Sequence, residues 1–277
     1  MSIETVAKPS SVRGLATFAK YAVLSFGAFL TLAPVVWTLI TALTPTDPET
    51  ETRQVGLGAF VDVFDQIPVW LYFWNTVLVV VLVAAGQMLS AAMAGYVFAR
   101  FEFRGKNLLF VLILATMMVP MQVTIVPVFM LIRGMGLADT LLALIIPALP
   151  TAFGTFLMRQ YFMGLPAELA EAAEIDGAGP WKTFFSVYLP LATPGLAIVG
   201  ILAFNYHWNE FFRPLIMTIS EQNFTLPLGL VTLQGNLGTG SISTVLAGVV
   251  ISMIPAVLVF VFGQKPLREG LTAGAGK

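Results

Sequence analysis

The chain of 277 residues has no cysteine, a single histidine and only 10% charged residues. The first absence excludes disulfides and cysteine-ligated metals, but it does not report the redox compartment, because a membrane helix has little use for either. The even balance of 14 basic against 15 acidic residues lacks the clustered positive charge that a nucleic-acid partner selects for. A soluble domain carries roughly a quarter of its residues as charges, so the scarcity here also excludes an ordinary soluble fold. What fills the chain instead is apolar: 57% hydrophobic residues and a mean hydropathy of +0.87. Such a chain belongs in a bilayer.

A spanning helix needs about 20 mostly apolar residues. Stretches at residues 17–43, 71–98, 107–132, 140–162, 191–217 and 242–262 meet that length, which predicts an all-α, polytopic membrane protein with six transmembrane helices. The first is too long, and lacks a small-residue cleavage site, to be a secretory signal, so it reads as an uncleaved span. Orientation follows from Lys and Arg. Lys8, Arg13, Lys20, Arg100, Arg104, Lys106, Arg159, Lys182, Lys265, Arg268 and Lys277 fall on one side and only Arg53, Arg133 and Arg213 on the other, which predicts that both termini are cytoplasmic. Residues 44–69, with Asp47, Glu49, Glu51, Asp62 and Asp65 against Arg53, are expected to form a solvated external loop. The chain then divides into residues 1–70 (N-terminus, first span and external loop), a five-helix core at 71–263 and a cytoplasmic tail at 264–277.

The cytoplasmic segment 163–190 is the least lipid-like part of the core. Pro166 suits the first turn of a helix, and residues 167–176 are fair helix formers rich in Ala and Glu. Glu168, Glu171 and Glu174 make a drifting polar stripe, while Leu169, Ala172 and Ala173 fall at i, i+3, i+4 on an apolar one. Gly177 can take the left-handed conformation that ends a helix, after which Gly179-Pro180 redirects the chain into a second short helix with Phe184, Phe185 and Tyr188 clustered. A hairpin lying on lipid headgroups is one reading, but three Glu and one Lys at 166–189 suit an anionic leaflet poorly. The other is a loop that docks into a groove on a second protein.

Near the outer end of the fifth span, Trp208 lies about 25 Å above Leu191 at about 1.5 Å per residue. Asn205, Trp208, Asn209 and Phe212 recur at i, i+3, i+4, i+7, which puts amides and aromatic faces on one stripe. Amides bond hydroxyls and aromatic faces stack on sugar rings, so the stripe suits a polyol path; polar membrane residues also tie helices together. Glu210 is a candidate for an outer gate, and His207 reads as a residue at the headgroups. Pro120 and Pro127, and Pro147 and Pro150, interrupt spans three and four as hinges or as static kinks.

The run Glu171-Ala172-Ala173-Glu174-Ile175-Asp176-Gly177-Ala178, followed by Phe184-Phe185 and Leu189-Pro190-Leu191, resembles the coupling-loop signature of ATP-binding-cassette importer permeases. The resemblance extends from about Trp74 to Lys277: Asn75-Thr76 resembles the start of that family's permease module, Met118-Val119-Pro120 with Pro127 its third span, and Trp208-Asn209-Glu210-Phe211 with Pro214-Leu215 its fifth. Gly270-Leu271-Thr272-Ala273-Gly274-Ala275 resembles the tail of the six-helix subunit in the maltose-transporter-type subgroup, with Gly276 departing from that pattern. The resemblance implies a type I importer permease fold in a bacterial or archaeal plasma membrane. It implies Glu171, Ala172, Ala173, Asp176, Gly177 and Phe184 as the ATPase-coupling residues. As partners it implies a cytoplasmic ATPase dimer, a second homologous permease and an external solute-binding protein, the solute being a carbohydrate or related polyol. Oligosaccharide, amino sugar and glycerol-phosphate importers share these signatures.

Residues 270–277 imitate a nucleotide-binding P-loop, yet five residues rather than four separate Gly270 from Gly276, and no parallel-sheet domain surrounds them. No cofactor or metal is expected in this chain; ATP and Mg would sit on the partner subunits, and the chain itself is read as non-catalytic. A secondary transporter is the main rival, but it needs an ionisable group near the midplane, and no predicted span has a carboxylate at its centre. A channel or scaffold would leave the coupling run unexplained.

Overall fold

The computed structural model describes residues 10–45, 55–235 and 240–275. Among these residues the chain is helical without a strand. The expectations for Lys8, Asp47, Glu49, Glu51, Arg53, Gly276 and Lys277 lie outside the described residues.

Three of the six predicted spans are single helices: α1 (Ser10–Leu43), α3 (Val69–Arg100) and, at the C-terminus, α14 (Ile242–Ala275). Their apolar windows run over Thr17–Leu43, Val69–Arg100 and Ile242–Gln264, within two residues of expectation at each end. The hydroxyls of Thr31 and Thr38 on α1 donate to the carbonyls of Gly27 and Pro34, so the helix carries polar atoms through an apolar zone with their protons bonded. Most of α1 is exposed, Phe18, Phe26, Phe29 and Trp37 included, and its partners are α14 and the short helix α2 (Gly58–Gln66).

That short helix corrects the expected solvated loop. Ala59 and Val63 of α2 are buried, in one cluster with Ala42 of α1 and Ala247 of α14, while Asp62 and Asp65 face outward. The apolar residues recur at helical spacing, a pattern overshadowed by the acidic residues around it.

The other three spans are broken. Span three is α4 (Lys106–Thr116) and α5 (Met121–Gly134), which meet at 100°. The two are about 16 and 21 Å long, each short of the roughly 30 Å hydrocarbon core, so the expected straight helix at 107–132 is an elbow. Pro120 makes it: its φ of -60° and ψ of 136° are extended, and its missing N–H removes the bond that would continue α4. Span four is α6 (Leu141–Ile145), a tighter turn through Ala148, and α7 (Ala152–Met163), bent by 41°. Backbone freed around Pro147 and Pro150 is taken up by side chains of α3: Gln87 donates to the Ala148 carbonyl at 2.8 Å and Ser90 to that of Leu149 at 2.8 Å. Thr151 accepts from the Gly154 N–H at 3.1 Å, capping α7.

The loop predicted to be cytoplasmic holds α8 (Glu168–Ile175), α9 (Pro180–Thr183), a wider π turn at Phe184–Tyr188 and α10 (Leu189–Leu191). The stretch Pro180–Leu191 meets α11 (Thr193–Trp208) at 74°. Beyond α11 the predicted fifth span does not continue as a helix; residues 209–211 intervene before α12 (Phe212–Met217), and α13 (Leu226–Thr232) follows.

α3 runs through all three apolar clusters: Tyr72 and Val80 with Trp208 and Leu226 toward its N-terminal end, Val79 and Val83 with Leu144 and Met217 in the middle, and Ala92 and Tyr96 with Phe162 and Tyr188 toward its C-terminal end. Its approach to α7 is close because Gly95 has no side chain. A Cβ there would lie 2.6 Å from the Met158 Cβ and 2.8 Å from the Arg159 nitrogen, the small-residue packing by which helices associate in lipid.

Candidate functional site

In the loop between α7 and α11, α8 ends as the sequence predicts. Gly177 has φ +74°, its N–H donates to the Glu174 carbonyl at 2.9 Å, and Ala178 donates to Ala173 at 2.9 Å. This paired set is the Schellman arrangement, which requires a left-handed residue at the glycine. A Cβ on Gly177 would meet nothing within 4 Å, so conformation rather than space selects glycine there.

The faces of α8 differ from expectation. Leu169 and Ala170 pack inward on the cluster of Tyr96, Phe162 and Tyr188, and Ala173 is buried. Ala172, expected beside Leu169 and Ala173, is exposed instead. It shares the outer face with Glu168, Glu171 and Ile175 at i, i+3, i+4, i+7, and Ile175 is 86% exposed. Sequence reasoning passed over Ile175; that same spacing was the available signal. Asp176 and Glu174 are also exposed. Phe184 is not on this surface. It is 2% exposed, with its ring 5.0 Å from that of Tyr96, so it anchors the loop from beneath. The exposed aromatic pair is Trp181 and Phe185, stacked at 6.1 Å and 20°.

At the outer end the predicted stripe of four residues is split. Trp208 turns into the core at 2% exposure, stacked on Phe204 at 5.3 Å and donating its indole N–H to the Ser252 carbonyl at 2.9 Å. Phe212 lies beyond the break at residues 209–211 and packs against the cluster that holds Ile145 and Met217. The register carried by one helix ends where that helix does. Asn205 and Asn209 stay exposed and bonded to each other, Asn209 donating to the Asn205 carbonyl at 2.8 Å.

His207 is buried, which corrects its placement at the headgroups. Gln87, already donating to Ala148, directs a second N–H at His207 Nε2, 3.1 Å away. The other ring nitrogen, Nδ1, lies 2.7 Å from Glu210 Oε2 and 3.0 Å from Arg213 Nη2. Arg213 clasps the same carboxylate with two nitrogens, Nε donating to Oε1 at 2.8 Å, and its Nη1 donates to the Leu144 carbonyl at 3.0 Å. Glu210 is thus the hub of a buried knot that holds α3, α6 and both sides of the α11 break. Beside it opens a cavity of about 670 Å³ lined by Gln87, Thr124, Pro147, Asn205, Tyr206 and His207 among others. It offers amides, hydroxyls and an aromatic face. The charged member of its wall, Arg213, is already paired.

A second knot lies above it. Asp139, at φ 58°, accepts from the Ile219 and Ser220 N–H groups at 2.9 Å each and from the Ser220 hydroxyl. These bonds hold its carboxyl far below the usual carboxylate range, the Ser220 hydroxyl contributing most. Asn75, from the predicted module start, donates to the Gln222 and Phe224 carbonyls at 2.8 and 3.0 Å, and Thr76 accepts from the Leu226 N–H at 2.7 Å.

Residues 87–267 match the family of binding-protein-dependent transport system inner membrane components. The chain belongs to that family. It is a permease subunit of an ABC importer, an inner membrane protein of a non-catalytic family whose members work with ATPase subunits and a substrate-binding protein. The permease is 34% identical to the arabinooligosaccharides transport system permease protein AraQ of Halalkalibacterium halodurans, over 91% of this chain and 94% of that one. It is 31% identical to the lactose transport system permease protein LacG of Rhizobium radiobacter, over 94% and 96%. Its fold is similar to a chain of a bacterial ABC transporter involved in the import of the acidic polysaccharide alginate, with TM-score 0.82, 25% identity, and 94% and 99% of the two chains covered. The type I permease fold expected from the sequence is consistent with that likeness.

Proposed function

We propose that this permease imports a carbohydrate or related polyol, with the α8 loop as the point where ATP hydrolysis by a partner ATPase dimer is coupled to movement of the spans. ATP and Mg belong to those partners. A homologous second permease completes the path, an external binding protein delivers the solute, and both termini are cytoplasmic. The carrying observation is the exposed face of Glu168, Glu171, Ala172 and Ile175, followed by Asp176 on a turn locked by Gly177. Carboxylates there pair with Arg or Lys in an ATPase cleft, small Ala172 permits close approach, and Ile175 supplies apolar area. Ala173 and Phe184 serve from below, as the anchors of that face.

Sugar import is supported by the relatives and by the cavity's amides, hydroxyls and Tyr206 ring, groups that suit polyol hydroxyls and ring faces. Asn205 is the path residue this geometry favours, with Asn209 beside it; Trp208 and Phe212 act as packing behind them, and Glu210 as the latch of the outer knot. Affinity purification from the native membrane in mild detergent tests the proposal. An ATPase, a second permease and vanadate-sensitive uptake are the expected result. A lone polypeptide whose uptake collapses with a protonophore would instead mark a secondary transporter.

A further inference from the structure

The coupling loop joins α7 to the Pro180–Leu191 stretch and α11 by chain connectivity, yet its tightest polar attachment is to neither. Arg100, the last residue of α3, sends Nη2 to the Phe162 and Leu165 carbonyls at 2.6 Å each, where α7 ends and the loop departs. Its guanidinium also lies over the Tyr188 ring, 4.8 Å from the centroid, where the loop returns. One side chain of α3 thus holds both ends of a loop of more than twenty residues. The reciprocal bond runs the other way. Arg159 of α7 donates Nε to the Phe98 carbonyl of α3 at 3.1 Å and lies 4.3 Å from the centroid of Phe110 on α4. The two parallel helices end side by side, each arginine donating to carbonyls at the other helix's C-terminal end, where the helix dipole also favours a cation. The absence of a Cβ at Gly95 lets the backbones come close enough for this exchange.

We infer that Arg100 and Arg159 are positioning residues that make α3, which does not adjoin the loop in the chain, a direct receiver of the coupling stroke. A push on α8 reaches Phe162, Leu165 and Tyr188; through Arg100 it acts on α3, and α3 contributes side chains to every apolar cluster up to the outer knot through Gln87. Arg100 Nε and the Tyr188 hydroxyl are buried without a partner among the described residues. The junction therefore keeps two polar groups that a repacked state can pair, as a two-state element requires.

The inference rests on the importer reading, and the chain's lack of cysteine allows a direct test. Spin labels are placed at Leu89→Cys on α3 and Lys182→Cys on α9, both exposed positions, in the complex purified through this chain. Between nucleotide-free and ATP-vanadate states the distance should change by less than about 2 Å, the scale of a packed-helix adjustment, while in Arg100→Gln it should shift by about 5 Å or more with ATP hydrolysis retained. Arg100→Lys, which keeps charge but not the planar two-carbonyl grip, should fall between. If Arg100→Gln fails to assemble, Tyr188→Leu, which removes the ring beneath Arg100 together with its contacts to Tyr96 and Phe162, should broaden the distance distribution. Continued hydrolysis with no change in either variant overturns the inference alone; a complex without an ATPase overturns the importer reading and the inference with it.

Discussion

The helices are interrupted at both ends of the bundle, residues 163–192 at the end predicted to face inward and 209–226 at the end predicted to face outward, and the two interruptions are built differently. The inner one is closed locally: the amides of Asp176, Gly177 and Ala178 cap α8 with bonds to residues three to five positions earlier. The outer one is closed at a distance, by Gln87, Asp139, Leu144 and Asn75, all from other helices or loops. A local cap folds with its own segment and can be presented to a partner as a unit. A distant cap exists only once the helices have assembled, and it reports on how they sit.

The sharpest break of that contrast is Glu210→Ala, which leaves the Arg213 charge buried. Loss of one partner of a buried pair costs about 3–5 kcal/mol, read as a lower midpoint of thermal unfolding in detergent. Replacing both, as Glu210→Leu with Arg213→Met, should cost less. At the inner site Glu171→Lys should leave the fold intact, because the side chain is exposed, yet lower ATP-driven uptake about tenfold or more, equivalent to about 1.4 kcal/mol. Unchanged uptake would remove Glu171 from the coupling face. Gly177→Ala forces a Cβ into the left-handed region and should cost about 1–2 kcal/mol, seen as faster hydrogen exchange at the Ala178 amide with thermal stability of the outer knot unmoved.

The smallest effect concerns pH. Asp139 has its carboxyl depressed in the folded state, so its contribution is complete above the ordinary carboxylate value of about 3.9 and is lost only as pH falls through the lower folded value. Exchange at the Ile219 and Ser220 amides should therefore stay slow from neutral pH down to about pH 4. Asp139→Asn should speed that exchange slightly and abolish its response to further acidification. Loss of protection in the wild type between pH 6 and pH 5, about two units or one above the ordinary carboxylate value, would contradict the clamp.

What was legible in the residues tracks the same local and distant division. The helix at 168–175 and its left-handed stop depend on propensity and on one glycine, both carried by neighbouring residues. The stripe through Asn205, Trp208, Asn209 and Phe212 assumed that one helix persisted, and the break at residues 209–211 removed the register on which the last member depended. Trp208 was misplaced for another reason: an indole suits a sugar and a core equally, and only Phe73, Phe204 and Ser252 around it decide. Asn75-Thr76 was recognised by resemblance, but its work, holding the backbone at 222–226, joins residues nearly 150 positions apart.

By itself the sequence determined that the chain lives in lipid, how many apolar stretches it has and where the loop with the coupling run lies. Those follow from transfer energetics and local backbone preference, which each segment carries alone. The tertiary structure decided which spans bend and by how much, which face of α8 is free, that His207 is buried and that α3 touches both ends of the loop. These depend on backbone carbonyls freed by proline and on the side chains that reach them from other helices, and no single segment contains both partners.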